Sequence, residues 1–171
     1  IPLLLEKIDG DSETYHQETG CMLHTAYLPA QLHWLRRTQP DIYESLGAWV
    51  DFGTYLYRQW FGRAIPVSYT VCAWSGLLYT SQLAWHEGYI QKFGLEKMLD
   101  CLPELRDYDA VQTGLAPTYA QRWQVLKDVP FFLAMGDGAV ANVGSGAVDS
   151  QHMALTIGTT SALRIVKAID H

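Results

Sequence analysis

Val129-Pro130-Phe131-Phe132-Leu133-Ala134-Met135-Gly136-Asp137-Gly138-Ala139-Val140-Ala141-Asn142-Val143 is the stretch on which the reading of this chain turns. Residues 129–135 form a short apolar run stopped by Gly136, the pattern of a fully buried strand. Asp137 then sits between two glycines, and the small and apolar residues that follow predict a packed helix. In α/β folds, reacting groups lie at the C-terminal ends of such strands, at the mouth of a helix. Farther on, Gly158-Thr159-Thr160-Ser161 interrupts a second apolar stretch, with Met153–Ile157 and Ala162–Val166 reading as flanking strands. The two features together read as an acid and a phosphate cradle.

Upstream the pattern is helical. Leu3 to Glu18 carries apolar residues at irregular helical spacing, broken at Asp9-Gly10-Asp11, and Gly20 closes the second piece. Leu28, Leu32 and Leu35 fall on one face of a helix with Pro29 in its first turn, and Pro40 ends it or starts the next. Asp51 suits the cap of a helix whose Phe52, Tyr55, Leu56 and Trp60 make an apolar stripe ending at Gly62. Trp85 to Phe93 predicts a further short helix, stopped by Gly94, and Leu99 to Leu115 reads as loop with short extended pieces. The expectation is an α/β chain, helix-rich in its first two thirds and ending in β-α-β-β.

Composition narrows the partners. The 171 residues are 49% hydrophobic and 18% charged, enough for a real core. A net charge of −6, with only Arg36-Arg37 as adjacent basic residues, argues against nucleic acid or an anionic membrane surface. No apolar run approaches the ~20 residues that span a bilayer. Ile1–Leu5 lacks the basic flank of a secretion signal, so a cytoplasmic protein is expected. Cys21, Cys72 and Cys101 are odd in number and far apart, which suggests reduced thiols. The histidines show no metal-ligand spacing, so no protein-held metal is expected. A chain that opens at Ile1 and stops at His171, just after a strand, reads as part of something longer.

Two chemistries compete at Asp137. Gly136-x-Gly138-x-x-Ala141 formally fits a dinucleotide fingerprint after a strand. Against it, an aspartate stands beside the pyrophosphate position, and no acidic residue occurs near Ile157, where a ribose partner is required. Phosphoryl transfer to a hydroxyl suits the residues better: a positioned aspartate takes the proton while backbone donors hold phosphates. There is no G-x-x-x-x-G-K-[ST] motif, so a P-loop enzyme is excluded. The plain structural alternative is a helix-capping aspartate and an ordinary turn.

The ordered set Thr19-Gly20-Cys21 with His24 and Tyr27, Leu32 with Trp34-Leu35, Pro40, Asp51–Gly62, Ser68-Tyr69 with Ala73, Leu83-Ala84-Trp85, Gly114-Leu115, Gly136-Asp137-Gly138 and Gly158-Thr159-Thr160 resembles the FGGY carbohydrate kinases. The gluconokinase and xylulokinase branches are the most similar. The resemblance implies a fragment of an actin-like, ribonuclease H-like sugar kinase. Residues 1–146 would be the latter part of its first lobe and 147–171 the opening hairpin of its second. It implies Asp137 as the base that takes the sugar hydroxyl proton, and Gly158, Thr159 and Thr160 as contacts to the nucleotide phosphates. Tyr27 and His24 would face the sugar, and Gly138 stands where glycerol kinases carry a glutamine. ATP and Mg²⁺, a sugar or sugar-acid substrate, and a possible homodimer of the complete protein follow from the same resemblance. A non-catalytic sugar-binding or regulatory relative is the alternative, and a dinucleotide-binding enzyme the second. Ser68 replaces a common aspartate, Ala73-Trp74-Ser75-Gly76 departs from the usual small-Ser-x-Thr pattern, and the family's first phosphate motif is not among these residues. The segment alone is therefore expected to bind ATP weakly and turn over nothing.

Overall fold

The structure is a computed structural model that describes residues 1–159 and 161–168. It divides into two compact units, Ile1–Ala134 and Met135–His171. The division reflects packing and is separate from the lobe boundary that the resemblance sets at 146/147.

The first unit opens with α1 (Pro2–Lys7) and α2 (Ser12–Thr19). The break predicted at Asp9-Gly10-Asp11 is real: Asp9 and Gly10 both have positive φ, and Asp11 caps α2 by accepting from Thr14 N at 2.9 Å. Gly20 ends α2 in the left-handed conformation that favours glycine. Next come α3 (Leu28–Thr38), with a proline in its first turn, and α4 (Pro40–Glu44). Then α5 (Phe52–Phe61) runs from the Asp51 cap to left-handed Gly62. Short pieces follow: β1 (Val67–Ser68), α6 (Tyr69–Cys72), β2 (Leu78–Tyr79), β3 (Ala84–Trp85), α7 (Glu87–Lys92), β4 (Leu105–Arg106) and α8 (Pro117–Arg122). β1 pairs with β4 in parallel, and β2 with β3 antiparallel.

The main core of this unit gathers Tyr15, Leu32, Ile90, Phe93, Leu95 and Met98. Fully burying a side chain such as Phe93 contributes about 1.5–3 kcal/mol. A second cluster holds Phe61, Ile65, Leu115 and Leu133, with the Trp60 and Trp123 rings 5.7 Å apart.

Two expectations are corrected here. The run 129–135 is not a buried strand. Among the described residues its only sheet contact is a single bridge from Phe131 to Gln112. Pro130 has no N–H to give a ladder, and Phe132 turns outward while Leu133 turns in. The apolar stripe on α5 is a core face only in part: Trp60 packs on the second cluster, but the first turn does not. Phe52 and Tyr55 are 76% and 50% exposed, whereas Thr54 and Phe61 are buried, so the inward face is rotated from the one that hydrophobicity marks.

The second unit contains α9 (Asp137–Gly144), β5 (Met153–Ile157) and β6 (Ser161–Ile165). The strands pair antiparallel with Leu155 opposite Leu163, and α9 packs on both. Among the described residues, Gly136, Gly138, Asn142, Ala147 and Ala154 are its buried positions, so small residues bring the helix close to the hairpin. The other side of the hairpin, carrying Met153, Leu155, Ile157, Leu163 and Ile165, is exposed.

Candidate functional site

Asp137 is the first residue of α9, and its side chain is exposed. Its Oδ1 accepts from the Gly138 N–H at 2.7 Å, which fixes the carboxylate at the end of the helix where negative charge is favoured. Gly138 is buried behind it. Gly158 and Thr159 lie in the same compact unit, exposed in the turn that joins β5 to β6. Thr160 falls outside the described residues. Because α9 packs on both strands of this hairpin, one small unit carries both the acid and the Gly-Thr turn.

His24 and Tyr27 belong to the first unit, in the loop between α2 and α3. Their rings meet edge to face with centroids 6.1 Å apart. His24 Nδ1 accepts from Ala26 N at 3.1 Å, and Gln31 on α3 donates its Nε2–H to Ala26 O at 2.9 Å. The Ala26 peptide is thus held from both sides. Tyr27 packs beside Gly76, where an added Cβ would come within 3.2 Å of the tyrosine Cβ and 2.9 Å of the Tyr15 hydroxyl. Gly76 also has a φ of +75°, so both space and backbone conformation call for glycine there. The Tyr15 hydroxyl donates to Gly76 O at 2.6 Å.

The Tyr27 hydroxyl pairs with the Cys21 thiol, and Cys21 Sγ in turn donates to Ala73 O at 3.2 Å. Burial pushes the Tyr27 hydroxyl upward from its ordinary pKa, with the Cys21 charge adding to the shift. Burial likewise raises the Cys21 thiol. This inward pairing was not visible in the sequence, although Cys21 and Tyr27 flank one short loop. Ser68, noted above as a departure, is buried and donates its hydroxyl to Ala134 O at 2.6 Å.

Among the described residues, no group of three His, Cys, Asp or Glu could hold a metal ion. No helix is long and apolar enough to cross a membrane. A cavity of about 1250 Å³ in the first unit is walled mainly by apolar residues such as Leu28, Trp34 and Trp49. None of the predicted site residues lines it.

Comparison with known proteins gives a consistent result. Residues 3–144 match the FGGY family of carbohydrate kinases, N-terminal domain. A gluconokinase of Bacillus licheniformis is 23% identical over 158 residues, which is 92% of this chain and 30% of that protein. A xylulose kinase of Escherichia coli (strain K12) is 25% identical over 142 residues, 83% of this chain and 28% of that protein. Among solved structures, a gluconate kinase from Lactobacillus acidophilus superposes with a TM-score of 0.84 at 23% identity, over 95% of this chain and 32% of the other. The chain therefore spans about 30% of the length of the curated relatives it matches.

Proposed function

This chain belongs to the FGGY family of carbohydrate kinases, and from that premise we propose that it serves an enzyme that phosphorylates a sugar or sugar-acid hydroxyl with ATP. The reaction would require this segment together with the rest of the length its relatives have. The observation that carries the reading is the exposed Asp137 carboxylate at the start of α9, in one compact unit with the Gly158-Thr159 turn.

In the proposed reaction, Asp137 takes the proton from the sugar hydroxyl as that oxygen bonds to the γ-phosphorus of ATP. The bond from that phosphorus to the bridging oxygen breaks, and ADP leaves. The backbone N–H groups of Gly158 and Thr159, with the hydroxyls of Thr159 and Thr160, are proposed to steady the phosphates. His24 and Tyr27 are proposed to face the sugar, and Gly138 lets it approach the helix end. Mg²⁺ suits a site of this kind because it keeps mostly phosphate and water ligands and needs only one or two carboxylates. Held in that way by phosphate and water, the ion would leave Asp137 to act as the base.

The dinucleotide reading is weakened by geometry. The Gly138 amide, which a pyrophosphate would need, is already taken by Asp137 Oδ1. Replacement of Asp137 by Asn in the complete enzyme separates the remaining readings. A kinase loses roughly 10²–10⁴-fold in kcat while its sugar affinity in equilibrium dialysis is retained. A sugar-binding relative without catalysis shows no turnover to lose, and that result overturns the proposal.

A further inference from the structure

The cavity in the first unit is walled by α1, α3, the segment that follows α4, and Met98. Leu4, Leu28, Leu32 and Met98 make its floor, while Leu3 and Trp34 stand more than half exposed at its sides. At about 1250 Å³ it exceeds the roughly 300–1,000 Å³ of a small-molecule cleft, so a stretch of polypeptide suits it better. Lys7, Arg36 and Arg37 line it and no acidic residue does, although the chain holds 18 acidic residues against 12 basic. Among the described residues, none of these three cations is in an ion pair. His33 lines the same cavity, and its Nε2 is buried with no hydrogen-bond partner, an atom that calls for one.

One wall offers backbone as well. Residues 47–51 carry no helix, strand or turn, and the Trp49 N–H donates to Cys101 O at 2.8 Å. Among the described residues, the N–H and C=O groups of Ala48 and Val50 make no hydrogen bond, and both residues line the cavity. Successive residues of an extended run present their backbone groups to opposite sides. Trp49 thus uses the side toward Cys101, and its two neighbours keep the other side open. An open edge of this kind pairs with an added strand.

This chain spans about 30% of the curated relatives it matches, so in a protein of their length most of the polypeptide lies elsewhere. We propose that the cavity receives a strand from that remaining length of the same polypeptide, paired to Ala48 and Val50. Its apolar side chains lie on the leucine floor, and an acidic one faces Lys7 and Arg37. The placement is independent of the phosphoryl chemistry.

The test uses the complete protein. Hydrogen exchange read by fragmentation mass spectrometry is expected to show the Ala48 and Val50 amides slowed about 100-fold or more against unstructured peptide. Rapid exchange at these two amides overturns the proposal. Trp34→p-benzoylphenylalanine sets a photoreactive group at the cavity wall, and irradiation is expected to join it, at monomer mass, to a residue outside these 171. Joining to a second copy, to a residue within the 171, or to solvent alone overturns the proposal whatever the exchange shows. Arg37→Glu is expected to speed exchange at Ala48 and Val50 about threefold, and an unchanged rate overturns the acidic contact. No readout here is turnover, so a protein that phosphorylates no sugar overturns the kinase reading and leaves this inference standing.

Discussion

Ser68 Oγ donates to Ala134 O at 2.6 Å, lies 3.0 Å from Thr70 Oγ1, and caps α6 by accepting from Val71 N at 3.4 Å. The residue is 1% exposed, so its bonds have no water to replace them. Ser68→Ala leaves the Ala134 carbonyl short of a donor and is expected to cost about 1–3 kcal/mol, read as a lower urea midpoint at unchanged slope. The cysteines make a second prediction at this scale. All three are buried, and burial pushes the Cys72 thiol up to about 12. A thiolate is the reactive form, so the native chain should resist thiol reagents at pH 8 and react fully once unfolded. At this scale the sequence revealed residue types but not their engagements. His24 and Tyr27 stood out, yet the acceptor role of Nδ1 and the Tyr27–Cys21 pairing depend on a loop geometry that no spacing rule encodes.

The N-terminus of α5 combines a legible feature with a hidden one. Asp51 Oδ1 accepts from Gly53 N at 2.9 Å and from Thr54 N at 3.2 Å, as an aspartate before an apolar run predicts. Asp51→Ala should cost about 0.5–2 kcal/mol. Gly53 was less transparent. An added Cβ there would stand 2.6 Å from the Ala134 Cβ, so the helix and the 131–134 segment touch where only hydrogen fits. Ala has a better helix propensity by about 1 kcal/mol, but overpacking costs about 1–3 kcal/mol. Gly53→Ala is therefore expected to lower the melting temperature rather than raise it. The cap of α2 adds a pH dependence. Hydrogen bonds from Thr14 hold Asp11 below the usual carboxylate range. A folded-state pKa below the unfolded one stabilises above the unfolded value and is lost as pH falls through the folded one. Amide exchange at Thr14 should accordingly speed up, relative to Asp11→Asn, as the solution is acidified below about pH 4. Helix ends were readable because caps and glycines are local. The run 129–135 was not, because a continuous apolar run looks alike whether it pairs along its length or, as here, through one bridge at Phe131.

For the molecule as a whole, the family was legible from the order of many weak motifs, and residues 3–144 bear the match. The first unit's packing was less so, since its sheets are two-residue pairs, and one of them, β1 with β4, joins strands far apart in sequence. The 171 residues alone should phosphorylate no sugar from the gluconate, xylulose, ribulose and glycerol panel, because the family's first phosphate motif is not among them. Measurable ADP release with any of the four would refute this. The β5–β6 hairpin has a practical bearing on handling the polypeptide. Its large apolar side chains face solvent, and among the described residues neither strand pairs with a third. Open strand edges beside greasy surface recruit further strands. Concentrated stocks should therefore grow cloudy and scatter light on standing, and a lysine at Leu155 or Leu163 should lengthen their shelf life.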